Sequence, residues 1–322
     1  MKLLHIKVSN FKKYKEEYEI DFVYKTKKTI EDINNNEFEL QKVADGLYIY
    51  NTIAFIGNIT SGKTTIMELL DMCCSILGEF RLENKNYLYD NVDLTMDFYY
   101  EGYIYRYKAI LKNNNHLQQK AIFTNQKIYK KKYDKTKIQD IYNEIDFDLV
   151  EVPYELPDDI SDIFFVLKKE KIRAIYFNSY EKEEDTYKLI FEILRKYNIS
   201  SDILKYIISI FDKSIIDLRQ INGYNYILKS KEKEEMFTSK ELFYRLSKKT
   251  TRGILLYIYI IVSLKNGFNL IIDDIENNFD NILINDITNI YKNKYINKYN
   301  ATLIFTTNNY NLYNITDFCK II

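Results

Sequence analysis

The sequence predicts an α/β protein: a parallel-sheet core whose two halves lie near the two ends of the chain, separated by a long insertion. Three observations predict it. The apolar run Thr52-Ile53-Ala54-Phe55-Ile56 ends at Gly57, and after Gly62 the apolar residues Ile66, Leu69, Leu70, Cys73, Ile76 and Leu77 recur at helical period. Far downstream, Leu270-Ile271-Ile272 runs into Asp273 and Asp274, as a buried parallel strand ending in carboxylates would. A final apolar strand, Thr302 to Thr306, follows an amphipathic helical segment from Ile282 to Tyr295.

The remaining elements follow in order. Leu4, Ile6 and Val8, then Tyr18, Ile20 and Phe22, alternate as strands do, with Ser9 to Tyr14 as the turn between them. The polar stretch Lys25 to Glu39 is expected to be a surface excursion, and Leu47 to Ile56 is strand-like throughout. Val92 to Leu111 predicts a β-hairpin turning at Glu101-Gly102. The lysine-rich run from Lys127 to Lys137 reads as a solvated strand or loop; its interleaved tyrosines also fit contact with a nucleic-acid backbone. Residues 158–218 read as helices, clearest over Asp185 to Tyr197 and Asp202 to Phe211. Asp217 to Leu228 is extended, and Gly253 to Leu264 is a buried helix. No internal repeat or Gly/Ser linker interrupts the chain. The expected division is 1–111 for the first half of the core, 112–215 for a partly helical insertion, and 216–322 for the second half.

Composition narrows the chemistry. Lys+Arg and Asp+Glu both number 46, so the chain lacks the global basic footprint of dedicated nucleic-acid binders. Only His5 and His116 are available, which argues against a histidine-rich metal site and against Ser-His-Asp or Cys-His catalysis. Cys73, Cys74 and Cys319 have no metal-ligand spacing and read as small buried hydrophobes in a reducing cytosol. No apolar run free of charge reaches ~18 residues and the N-terminus is not a signal peptide, so a cytoplasmic protein is expected. With 8 glycines in 322 residues, each one marks a backbone position worth attention.

Two of those glycines carry the central motif. Gly57, Gly62, Lys63 and Thr64 satisfy G-x-x-x-x-G-K-[ST], between an apolar strand and an amphipathic helix. In such a loop the backbone N–H groups of Gly57, Asn58, Ile59, Thr60, Ser61, Gly62, Lys63, Thr64 and Thr65 face phosphates at a helix N-terminus, where the dipole favours anions. Lys63 reaches the β- and γ-phosphates, and the Thr64 hydroxyl completes a Mg²⁺ shell, so ATP and Mg²⁺ are the expected ligands. The acidic strand end supplies the complement: Asp273 to hold Mg²⁺ through water, Asp274 beside the attacking water. Glu276 reads equally as a further polar contact, or base, and as surface.

In their order along the chain, several segments together resemble a known group. These are Asn10-Phe11-Lys12-Lys13-Tyr14, the phosphate loop, Leu246-Ser247-Lys248-Lys249-Thr250-Thr251-Arg252, Asp273-Asp274-Ile275-Glu276-Asn277-Asn278, and Ile304-Phe305-Thr306-Thr307-Asn308-Asn309. They are similar to bacterial AAA-named, ABC-type ATPases, the heads of the RecF, SMC and OLD kind. The resemblance covers about 1–110 and 210–322. It implies an ABC-type P-loop NTPase head with an N-terminal antiparallel β-subdomain and a central helical insertion. It also implies a head-to-tail homodimer in which Ser247 contacts the γ-phosphate bound to the other copy, Asn277 to Asp280 form the D-loop, and Lys12 or Lys13 approaches the nucleotide. Asn308 stands at the switch position.

Four departures bear on the rate. Lys249 replaces the signature glycine, Asp274 the catalytic glutamate, Asn308 the switch histidine, and Ile59 the usual loop asparagine. The shorter Asp274 shifts a base by ~1 Å, enough to slow chemistry greatly, and Asn308 donates a hydrogen bond but carries no proton. The resemblance implies an ATP-driven dimerisation switch that controls a partner effector in bacterial antiphage defence. A DNA-engaging repair ATPase and a nucleotide-binding module of negligible turnover are the alternatives. No nuclease domain of the OLD kind is expected after Asn308.

Overall fold

The computed structural model describes residues 1–25, 40–82, 89–113, 121–167, 172–178, 186–314 and 318–322. Its parallel sheet orders five strands as β10 (Ala174–Phe177), β14 (Asn269–Ile272), β15 (Thr302–Thr307), β5 (Thr52–Ile56) and β16 (Phe318–Ile321). β5 and β15 are buried along their whole length, which is why β5 reads as a continuous apolar run and not as an alternation. The side chains still alternate in space. Ile53, Phe55, Ile271 and Ile304 join the core around α1 (Lys63–Glu79). Ala54, Ile56, Leu270, Ile272, Leu303 and Phe305 face a second core. That core is closed by α2 (Thr186–Lys196), α3 (Ser201–Phe211), α5 (Lys248–Asn266) and α6 (Asn281–Lys292).

The other side of α1 packs under a six-stranded antiparallel sheet ordered β2 (Tyr18–Asp21), β1 (Lys2–Ser9), β6 (Val92–Tyr100), β7 (Tyr103–Asn113), β8 (Ala121–Lys132), β9 (Asp148–Leu149). Ile6, Val8, Leu94, Met96 and Phe98 meet the helix there. A helix held between two sheets must be apolar on more than one side, and the buried Cys73 and Cys74 serve that need. A hairpin of β3 (Leu40–Ala44) and β4 (Leu47–Tyr50) and a meander of β11 (Ile215–Gln220), β12 (Asn225–Ser230) and β13 (Glu234–Thr238) complete the described strands, and α4 (Ser239–Arg245) follows the meander. A capping box of Thr238 and Glu241 starts α4.

Most expected elements stand within a residue or two of their sequence bounds. The β6–β7 hairpin turns at Glu101 and Gly102, both at positive φ. Leu47 to Ile56 is two strands, because at Asn51 the chain leaves the hairpin and enters the parallel sheet; the Asn51 carbonyl accepts the Leu303 N–H at 2.9 Å. Residues 158–218 are not helical throughout. They contain a short 3-10 turn at Asp162–Phe165 and the strand β10 before α2 and α3 begin. Four residues at a sheet edge are too few to display a period, so β10 was invisible to pattern reading. Part of the 112–215 segment also extends the antiparallel sheet as β8 and β9.

The lysine run lies on β8 up to Lys132, and strand alternation divides it between two faces. Lys131 turns in over the Phe147 ring and toward the Asp140 and Asn143 carbonyls, at 3.4 and 3.3 Å. Of the excursion expected at 25–39, all but Lys25 lies outside the described residues, as does His116. Among the described residues no helix is long and apolar enough to cross a membrane.

Candidate functional site

Three parallel strands end at one edge, and most of the predicted residues converge there. β5 delivers the loop 57–62, β14 delivers Asp273 and Asp274, and β15 delivers Thr306 to Asn308. The Gly57 N–H donates to the Thr307 carbonyl at 3.2 Å, tying the loop to β15. A Cβ on Gly57 would lie 2.5 Å from Ser61 Oγ and 2.9 Å from the Ile322 carbonyl, and Gly62 sits at φ 109° with Tyr14 Oη 3.1 Å from where a Cβ would be. Both positions require glycine for the loop to close on itself.

The helix that follows opens as an anion would need. Gly62 caps α1 without any side-chain hydrogen bond, and its first turn holds no acid, so its N–H groups are left for a ligand. Lys63 is buried, with Nζ donating to the Gly57 and Asn58 carbonyls at 2.8 and 3.0 Å. The cation is thus folded across the loop and held by neutral acceptors, which phosphate oxygens can outcompete. Asn58, Ile59 and Thr60 form the exposed crest, with Ile59 at 79% exposure and Thr60 at φ 77°. Thr65 is buried behind them.

The carboxylate side is tightly stitched. Asp273 is fully buried, and residues 209 apart in sequence meet where Thr64 Oγ1 donates to its Oδ2 at 2.8 Å. Thr306 Oγ1 donates to Oδ1 at 2.7 Å. Burial raises the Asp273 carboxyl above its ordinary range, against the two hydroxyls, and the neighbouring Asp274 and Glu68 charges add to the rise. A buried carboxylate beside a threonine hydroxyl, at the mouth of a phosphate loop, is an oxygen donor set suited to Mg²⁺.

Asp274 sits at φ 49°, with its N–H donating to Thr306 Oγ1 at 2.7 Å. Glu276 Oε1 accepts the Asn308 N–H at 2.8 Å, while its Oε2 is buried without a hydrogen bond. Asn308 is otherwise exposed. The N-terminal turn also reaches the site: Lys13 Nζ donates to the Thr60 carbonyl, and Lys12 pairs with Glu68 of α1. Ser247 is the N-cap of α5, its hydroxyl bonded to Thr250 of the same helix at 3.0 and 2.8 Å; it and Lys249 are exposed.

Sequence reading missed Thr306 and Tyr14. Both stand in segments that carry the resemblance, but neither was given a role: Tyr14 sits beside Lys13, and a threonine in a β-strand is ordinary. A separate cavity of about 450 Å³ opens over the antiparallel sheet, lined by His5, Lys7, Glu19, Arg106, Lys108 and Glu144 among others. Its charges pair with one another, Lys7 with Glu17 at 2.9 Å and Lys108 with Glu144 at 3.0 Å, and no glycine loop borders it.

No family model matches the chain, and no curated protein matches it. Among solved structures, the SMC head domain from Thermotoga maritima is similar at 13% identity, with 100% of this chain and 94% of that chain covered and a TM-score of 0.42.

Proposed function

We propose that this chain binds Mg-ATP on the loop 57–65 and hydrolyses it, as an ATPase of the ABC head kind. The observation that carries the reading is the contact between Thr64 and Asp273 at 2.8 Å, directly below a glycine loop whose lysine donates to the loop's own carbonyls. The phosphates take the free N–H groups of α1 and draw Lys63 off the carbonyls of Gly57 and Asn58. Thr64 and Asp273 hold Mg²⁺, which when bound neutralises charge developing on the phosphate oxygens. Asp274 orients the attacking water and accepts its proton. Glu276 fixes the backbone of Asn308, so that the Asn308 amide can point toward the γ-phosphate. Lys13 and Lys12 close the loop from the N-terminal turn.

The finer reading is a nucleotide-driven homodimer acting in the cytoplasm on a partner effector in antiphage defence, with Ser247 meeting the γ-phosphate held by the other copy. It is supported by the motif order alone. Lys131, turned in over Phe147, favours a structural role for part of the lysine run over a nucleic-acid contact.

Lys63→Ala tests the core reading. ATP affinity measured by calorimetry should fall about 10- to 100-fold, the loss of a charged hydrogen-bond donor to phosphate being worth about 1.5–3 kcal/mol, while the melting curve stays close to that of the natural protein. Full ATP affinity in the variant would remove the phosphate-loop assignment. Turnover with and without DNA separates the switch from the repair reading.

A further inference from the structure

The geometry points to Thr306 as a positioning residue that sets both acids of the site through one hydroxyl group. The inference rests on the Mg-ATP reading above and assigns a role to a residue of the Ile304 to Asn309 segment that no expectation singled out. Thr306 is fully buried in β15. Because β14 and β15 are in parallel register, with Ile272 opposite Phe305, Thr306 falls level with Asp273. A hydroxyl has one proton to give, and this one goes to Asp273 Oδ1 at 2.7 Å. Its oxygen accepts the Asp274 N–H at 2.7 Å.

Each bond has a separate consequence. With Oδ1 fixed by Thr306, the Asp273 carboxylate cannot rotate, and Oδ2 is the oxygen presented to Thr64. The Asp274 N–H bond holds that residue at φ 49°, a left-handed conformation that a residue with a Cβ enters at a cost of about 1–2 kcal/mol. The Asp274 side chain therefore leaves the strand end in a direction chosen by Thr306. The pair acts as an outer support for a metal ligand and a base. Loss of such supports typically costs about 10–100-fold in metal affinity or activity.

The test compares natural protein, Thr306→Val and Thr306→Ser. Valine keeps the shape and removes the hydroxyl; serine keeps the hydroxyl and removes the methyl group. Three quantities are read: ATP affinity in EDTA, the Mg²⁺ concentration giving half-maximal ATP turnover, and kcat. For Thr306→Val the expected result is a rise of about tenfold or more in the Mg²⁺ requirement and a comparable fall in kcat. ATP affinity in EDTA should hold within about twofold, because Lys63 and the α1 N–H groups are untouched. Thr306→Ser should restore both quantities to within about threefold.

A merely structural threonine would lower stability and impair ATP affinity, Mg²⁺ requirement and kcat together, and serine would not rescue the Mg²⁺ requirement. An unchanged Mg²⁺ requirement in Thr306→Val, or a serine variant as impaired as the valine one, overturns the proposal. If Thr306→Val does not fold, Thr306→Ala takes its place with the same expectations. Natural protein and Lys63→Ala that bind ATP alike would instead overturn the Mg-ATP reading, and this inference with it.

Discussion

At the scale of single residues, His5 shows how the fold commits a charge far from the loop. Its Nδ1 lies 2.8 Å from Asp97 Oδ2 and its Nε2 2.7 Å from Glu19 Oε1, and the ring stacks on Tyr142 at 4.6 Å. Arg106 holds the same Asp97 through two bonds, at 2.7 and 3.1 Å. Two carboxylates on two ring nitrogens are both satisfied only by the doubly protonated imidazole. Burial pulls the group down, yet Asp97 and Glu19 together outweigh it, so His5 titrates above its ordinary value of 6.5. A raised folded value means stability fully present below about 6.5 and lost as pH climbs through the folded value. His5→Gln should therefore show its largest loss of urea midpoint at pH 6, with the gap to the natural protein narrowing at pH 8. A gap that does not depend on pH would mean that the ring is neutral in the folded chain.

At the scale of elements, α1 is the part whose placement matters most, because it carries the loop and packs between two sheets. Near its C-terminal end, a Cβ on Gly78 would lie 2.3 Å from the Ile172 carbonyl just before β10. Helix propensity alone would make Gly78→Ala stabilising by about 1 kcal/mol. A clash with backbone costs about 1–3 kcal/mol, and here the backbone has to move, so the net effect should be destabilising in urea titration and should weaken ATP binding by displacing α1. A more stable variant would show that the approach has slack. The same elements explain what could be read beforehand. The loop 57–64 and the run from Leu270 to Asp274 are contiguous, so their chemistry is written in neighbouring letters. Thr306 works through Asp273 from 33 residues away, and β10 and β16 become strands only because β14 and β5 offer them an edge. Both depend on partners distant in sequence, which no local period records.

At the scale of the whole molecule, the edge that holds the loop exposes apolar side chains beside its charges. Ile59, Ile282 and Tyr310 follow three parallel strands at that edge, with exposures of 79%, 76% and 47%. The head-to-tail dimer proposed above would cover this edge. Light scattering with Mg²⁺ and a slowly hydrolysed ATP analogue should give a dimer, and Ser247→Arg should abolish it. A monomer at saturating nucleotide, or a dimer indifferent to both, would remove the sandwich and leave the loop assignment standing. The last strand adds a consequence for how the protein is handled. β16 runs alongside β5, its successor Ile322 donates to the Ile56 carbonyl at 2.8 Å, and the Ile322 carbonyl abuts Gly57. Lys2 instead reaches Asn300, at the opposite end of the parallel strands. A fluorophore or surface tether placed at Ile322 thus lies at the lip of the phosphate loop, whereas the same label placed at Lys2 lies on the far side of the sheet.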